Sequence, residues 1–134
     1  MQHSTPSPNQ ADKKRFELLH EIGCVACSMW GFFSPCQIHH LLSGGIRRGH
    51  LYTIPLCPYH HVGQVDHGRN IRHMATLLGP SLALESKRFH LVFGSDDELL
   101  AKANEAIGKL RRIKDGNQTD HGDAAGDPPR GDAG

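Results

Sequence analysis

Histidine and cysteine carry most of the chemistry available to this chain. Seven of its 11 histidines lie between His39 and His73. Imidazole is both the commonest metal ligand and the usual proton acceptor near neutral pH. Three of the four cysteines fall with one histidine into two short pairs, Cys24-Val-Ala-Cys27 and Cys57-Pro-Tyr-His60. Two pairs with two-residue gaps turn sharply enough to close a tetrahedral Cys3His site around a structural zinc ion. The 29 residues between the pairs have room for a hairpin that the ion would clamp. Zinc binds the unfolded chain poorly, so its affinity would become folding stability. The competing reading is a set of unpaired buried thiols. Cys36 stands outside the pattern and reads first as a buried, apolar-type residue, and second as a further metal ligand.

His39-His40 and His61 form a second constellation. Neighbours on a strand point to opposite faces, and neighbours on a helix diverge by about 100°. His60 can therefore face the zinc while His61 faces the hairpin, giving two sites that share one wall. Of His39 and His40, one can hold a metal while the other, unligated, takes a proton from water. Local twist beside Ser43-Gly44-Gly45 would bring both to one cleft. That combination suits metal-assisted activation of a water molecule, and by itself names no substrate. Histidine ligands are softer than the carboxylates magnesium usually prefers, so Mg²⁺, Mn²⁺ and Zn²⁺ all stay open as the catalytic ion. Arg47 and Arg48 have two readings, bidentate contacts to flanking phosphates and a solvated charge pair. His50 reads first as a cross-strand polar residue and second as a ligand. Trp30, Phe32 and Phe33 read first as core or knuckle packing, and second as surfaces for base stacking. Lys109, Arg111, Arg112 and Lys114 read first as complements to a helix C-terminus.

These side chains need a scaffold, and the remaining sequence supplies one. Phe16, Leu19 and Ile22 recur at helical spacing, and Gly23 stops that helix. Residues 24–36 read as a knuckle, 37–42 as a first strand, and 50–56 as a second strand. Pro55, which lacks an N–H, belongs near that strand's end or on an edge. Pro58 opens a helix carrying Tyr59, His60 and His61, which ends near Gly63. Helices follow over 71–78 and 81–92. Ser95 and Glu98 form a capping box for a last amphipathic helix. The expected fold is a small α+β domain: a two-stranded hairpin, a zinc knuckle and additional helices.

The strings Cys24-Val-Ala-Cys27, Ile38-His39-His40-Leu41 and Pro55-Leu56-Cys57-Pro58-Tyr59-His60-His61 resemble the HNH (ββα-metal) endonucleases. Gly23-Cys24-Val-Ala-Cys27, Gly31-Phe32-Phe33 and Leu56-Cys57-x-x-His60-His61 are similar, more closely, to the phage Ref (recombination enhancement function) proteins, a histidine-rich subclass. The resemblance spans about residues 22–93. It implies that His39 and His61 ligate the catalytic metal, with His67 or His73 completing the shell, and that His40 is the general base. It also implies DNA, single- or double-stranded, as substrate, RecA filaments as a partner, and a phage-encoded or bacterial setting. Two positions depart from the common HNH pattern. Tyr52 stands where many members carry an Asn that braces the hairpin, and His60 stands where many carry a fourth Cys.

Composition agrees with a nucleic-acid partner. Residues 13–114 hold 14 Lys and Arg against 8 Asp and Glu, whereas the segment from Asp115 holds five Asp and one Arg. A basic core suits an anionic partner. The expected organisation is a disordered segment over 1–12, one nuclease domain over 13–114 and a disordered Gly/Asp-rich tail over 115–134, since neither end can bury enough apolar surface to offset its ordering entropy. The tail reads first as a solvating extension, and second as a competitor for the basic surface. No apolar leader or ~20-residue apolar span is visible, so a cytoplasmic protein without membrane contact is expected, its cysteines ligands or free thiols. No recognition helix is legible, which predicts low sequence specificity. The alternative function is a non-catalytic, zinc-stabilised DNA-binding accessory protein of recombination, and a third is a protein-interaction zinc knuckle. Neither accounts for His39, His40 and His61.

Overall fold

A computed structural model of the protein describes residues 6–65 and 68–123, with side chains through residue 116. Among the described residues the elements run in the order α1 (Gln10–Ile22), α2 (Val25–Met29), β1 (Gln37–His40), β2 (Leu42–Ser43), β3 (Ile46–Arg47), β4 (Thr53–Leu56), α3 (Pro58–Val62), α4 (Ile71–Leu78), α5 (Ser86–Phe93) and α6 (Asp96–Asp123). The architecture is α+β.

Capping explains why α1 starts before Lys13. The Asp12 N–H donates to Asn9 Oδ1 at 2.8 Å, and the Asn9 N–H donates to Asp12 Oδ2 at 3.0 Å. This reciprocal pair satisfies two donors that a helix start otherwise leaves open. At the far end Gly23 has φ 81°, and a Cβ there would lie 2.8 Å from the Ser34 carbonyl oxygen and 2.7 Å from Phe33. The stop is therefore both conformational and steric. The stretch expected as a pure knuckle contains α2, a single turn opened by Cys24, whose sulfur accepts the Cys27 N–H at 3.4 Å.

β1 and β4 pair antiparallel, with Gln37 opposite Leu56, Ile38 opposite Pro55, His39 opposite Ile54 and His40 opposite Thr53. In a two-stranded sheet both strands are edges, so Pro55 is tolerated. The connection between them is more structured than expected. β2 and β3 form their own ribbon across Gly44-Gly45, and both glycines have positive φ, 60° and 82°, as a two-residue hairpin turn requires. The second strand begins at Thr53, three residues later than the sequence suggests. A turn closed by the Tyr52 N–H on the Gly49 carbonyl at 3.1 Å takes His50 out of the strand. The Thr53 hydroxyl donates to the His50 carbonyl at 2.8 Å and holds that turn.

The core joins Leu18 and Leu19 of α1, Ile54 and Leu56 of β4, Met74, Phe89, Phe93, and Leu99, Ala103 and Ile107 of α6. Buried Arg15 ties three elements together. Its Nε donates to Thr53 Oγ1 at 2.8 Å, its Nη1 to Asn104 Oδ1 at 2.8 Å, and its Nη2 to the Thr53 carbonyl. The expected capping box of α6 is present, with the Glu98 N–H on Ser95 Oγ and the Ser95 N–H on Glu98 Oε1. α5 starts at Ser86, later than residue 81, because Ser81 is buried and bonds back to the Tyr59 carbonyl at 2.7 Å. The α6 backbone continues past Asp115 to Asp123. Among the described residues, no helix is long and apolar enough to cross a membrane.

Candidate metal centre and histidine cluster

Cys24 and Cys27 flank the first turn of α2, and Cys57 and His60 open α3. Packing of both turns against β4 brings the four side chains together. Their ligand atoms lie within 4.8 Å of one another, and all four residues are buried. The separations suit a common ion. Cys27 and Cys57 Sγ are 3.8 Å apart, and His60 Nδ1 lies 3.5, 3.7 and 3.3 Å from the sulfurs of Cys24, Cys27 and Cys57. A tetrahedron with metal–sulfur bonds of about 2.3 Å has edges of about 3.8 Å. The outer contact agrees, because His60 Nε2 donates to the Leu78 carbonyl at 2.8 Å and leaves Nδ1 bare toward the sulfurs.

Within the cluster, charge gathers on one sulfur: Cys57 is favoured as thiolate, while hydrogen bonds to Cys27 and Cys57, then burial, push the Cys24 thiol up. Hydrogen bonds from the Cys24 and Cys27 thiols hold Cys57 well below the ordinary thiol range, against the effect of burial. Burial opposes protonation of His60, but the Cys27 and Cys57 sulfurs outweigh it and lift His60 to about 9. A divalent ion displaces such protons when it binds.

The remaining histidines separate into two groups. His39 of β1 meets His61 of α3, with ring centroids 5.0 Å apart at 66°. His61 Nδ1 donates to Gln37 Oε1 at 2.8 Å. Gln37 and His39 share a strand face, so the glutamine orients the partner of its own neighbour. With Nδ1 committed, His61 presents Nε2 as a bare donor atom. Burial, then the nearby His61, push His39 down to about 4, although Asp96 pulls the other way. Burial also lowers His61. Both rings are thus neutral at neutral pH, the form that binds a cation.

His40 faces the other group. Its Nε2 lies 3.0 Å from His50 Nδ1, and Phe16 stands edge-on to both rings, with centroids 6.2 and 5.6 Å away. Burial, then Arg47 and His50, lower the pKa of His40. His39 and His40 therefore take the opposite orientations of strand neighbours and join different partners, so the single cleft expected from local twist is not what these contacts form, although the two rings stay within electrostatic reach of each other.

Arg48 is engaged by the protein itself. It pairs with Asp97 at 3.1 Å and lies 4.6 Å over the Tyr52 ring. Arg47 is exposed on β3, and no partner for it is found among the described residues. His73 is exposed on α4, with its N–H on Asn70 Oδ1 at 2.8 Å, and no ring contact joins it to His39 or His61 among the described residues. His67 lies outside the described residues. Cys36 is apart from the metal cluster, with its sulfur on the Leu19 carbonyl at 3.4 Å and near His20 Nδ1 at 3.7 Å. Trp30, Phe32 and Phe33 are not core residues, being 44, 47 and 66% exposed. Trp30 instead lies 5.4 Å from the Phe93 ring and Phe33 closes on Gly23.

Sequence reasoning passed over Gln37 and Asp96 as site residues and weighed His50 first as a cross-strand polar residue. The histidine excess was the one available signal for His50.

No curated protein matches the chain significantly. A family profile described as "recombination enhancement, RecA-dependent nuclease" matches residues 8–108, which includes both histidine groups and the whole Cys3His cluster. On that match, the chain belongs to the family of RecA-dependent nucleases of recombination enhancement.

Proposed function

We propose that this protein is a metal-dependent DNA endonuclease of the HNH type, hydrolysing phosphodiester bonds with low sequence specificity on DNA that carries RecA. The observation that supports it most is the His39–His61 pair, with His61 oriented by Gln37 and carried on the same short helix as His60, just after its N-cap Cys57. In this reading Cys24, Cys27, Cys57 and His60 hold a structural zinc, and β1, β4 and α3 are the ββα unit. His39 and His61 hold the catalytic ion, with His67 and His73 as the further proposed ligands. That ion, Mg²⁺, Mn²⁺ or Zn²⁺, would stabilise the charge that develops on the phosphate and the leaving 3′-oxygen.

His40 is the general base. Neutral at operating pH, it takes the proton of the attacking water and returns it to solvent after the bond is cut. Arg47, exposed beside His40, is the better placed of the two arginines to hold a flanking phosphate, because Arg48 is committed to Asp97. Contacts of this kind read the backbone and not the bases, which is why low specificity is expected.

The test is a nuclease assay on single- and double-stranded DNA with each of the three ions, with and without RecA filaments and ATP. Wild type should cut, and His40→Ala should lose about 10²–10⁴-fold in rate while folding and binding DNA normally. Equal cutting of naked and RecA-coated DNA would remove the RecA requirement. Absence of cutting in every condition, with metal bound and DNA binding intact, would leave a non-catalytic DNA-binding accessory role as the better reading.

A further inference from the structure

The contacts of His50 fix the protons of two rings. His50 Nε2 is within hydrogen-bond distance of the Pro6 carbonyl oxygen, and a carbonyl has only lone pairs to offer. The Nε2 atom must therefore carry the hydrogen. In a neutral imidazole the other nitrogen is then bare, so His50 Nδ1 accepts. Its partner at 3.0 Å is His40 Nε2, which has to be the donor. His40 Nδ1 is left bare. Phe16 stands edge-on to both rings, at 73° and 84°, and limits their rotation.

We propose that His50 is the positioning residue for His40: the chain Pro6 carbonyl, His50, His40 holds His40 in its Nε2–H tautomer and so aims Nδ1 as the proton-accepting atom. His50 touches no reacting atom in this arrangement and acts only through its neighbour. The inference rests on the general-base reading of His40, and it names the atom that does the work. It also gives the Gly49–Tyr52 turn a purpose. Because the chain turns before it enters β4 at Thr53, residue 50 swings onto the residue that precedes Leu41, across a separation of ten residues.

Two readouts on the full-length, metal-loaded protein test this. Long-range ¹H–¹⁵N spectra of the histidine rings should show His40 as the Nε2–H tautomer in wild type and as a mixture in His50→Ala. In the cutting assay, His50→Ala should lower kcat on the order of 10–100-fold, as loss of an outer-sphere orienting contact does, with KM unchanged. His50→Asn, whose Oδ1 falls near the position of Nδ1, should recover most of the rate. The proposal is overturned if wild-type His40 carries its proton on Nδ1, or if His50→Ala cuts as well as wild type while His40→Ala does not. Should His40→Ala itself cut normally, the general-base reading fails and the catalytic part of this proposal fails with it, whereas the tautomer spectrum still reports on the ring chain independently.

Discussion

At the scale of single residues, the environment of each ring or thiol differs more than its sequence context suggests. His60 and His61 are adjacent, yet one is fully buried among three sulfurs and the other meets His39 and Gln37. A helical step of about 100° is enough to separate them. Cys36 shows the opposite kind of separation: it belongs to no cluster, and burial is what governs it. Burial, then the nearby Cys57, push its thiol up to about 11 from an ordinary value of 9.0. In the metal-loaded protein Cys36 is therefore expected to react with iodoacetamide at pH 8 more slowly than a free cysteine, because less thiolate is present. Peptide mass spectrometry over time would check this, and labelling at the free-thiol rate would contradict it. The sign for stability follows from linkage. The folded state keeps this proton longer than the unfolded state, so the contribution of Cys36 is full below pH 9 and is lost as pH rises from 9 toward 11.

Between elements, the hairpin depends on a contact from outside it. Arg15 on α1 satisfies both the hydroxyl and the carbonyl of Thr53, which is fully buried and stands opposite His40 in the strand register. The same guanidinium reaches Asn104 on α6. Arg15→Leu should keep the apolar stem but leave the Thr53 carbonyl without this donor, at a cost of about 1–3 kcal/mol. Urea unfolding of wild type and variant measures this, and an unchanged midpoint would show that Thr53 finds another partner. The variant should also lose cutting rate beyond what its residual stability explains, since Thr53 holds the turn that carries His50.

For the molecule as a whole, the Cys3His cluster lies inside the core, not at its margin. Cys24, Cys27 and Cys57 belong to the same buried cluster as Leu18, Ile54, Phe89 and Leu99. A structural zinc contributes on the order of 10 kcal/mol to small metal-dependent folds, comparable to the ~5–15 kcal/mol of total stability typical of a domain. Removal of the ion by a strong chelator is expected to unfold the domain cooperatively, with circular dichroism losing the helical signal and readdition of one equivalent of Zn²⁺ restoring it. Retention of the full thermal transition after the bound metal has been shown to be gone would exclude a structural role. Cys57→Ser should behave like the chelated protein, while His39→Ala should keep its zinc and its melting temperature, which separates the two proposed sites.

Local features were the legible ones. The paired cysteine and histidine spacings, Pro58 at the start of α3, Gly63 at its end and the Ser95–Glu98 cap each act over a few residues, so the sequence alone determined them. Membership of the nuclease family followed from the same short motifs. The Asn9–Asp12 cap was equally local and was passed over only because the residues around it are polar. Tertiary structure decided which histidine meets which. Residues 39 and 61, 40 and 50, 61 and 37, and 50 and 6 come together through strand register, an early turn and the packing of α3. Such contacts are set by the closure of long loops around a buried core, and spacing along the chain carries no record of them.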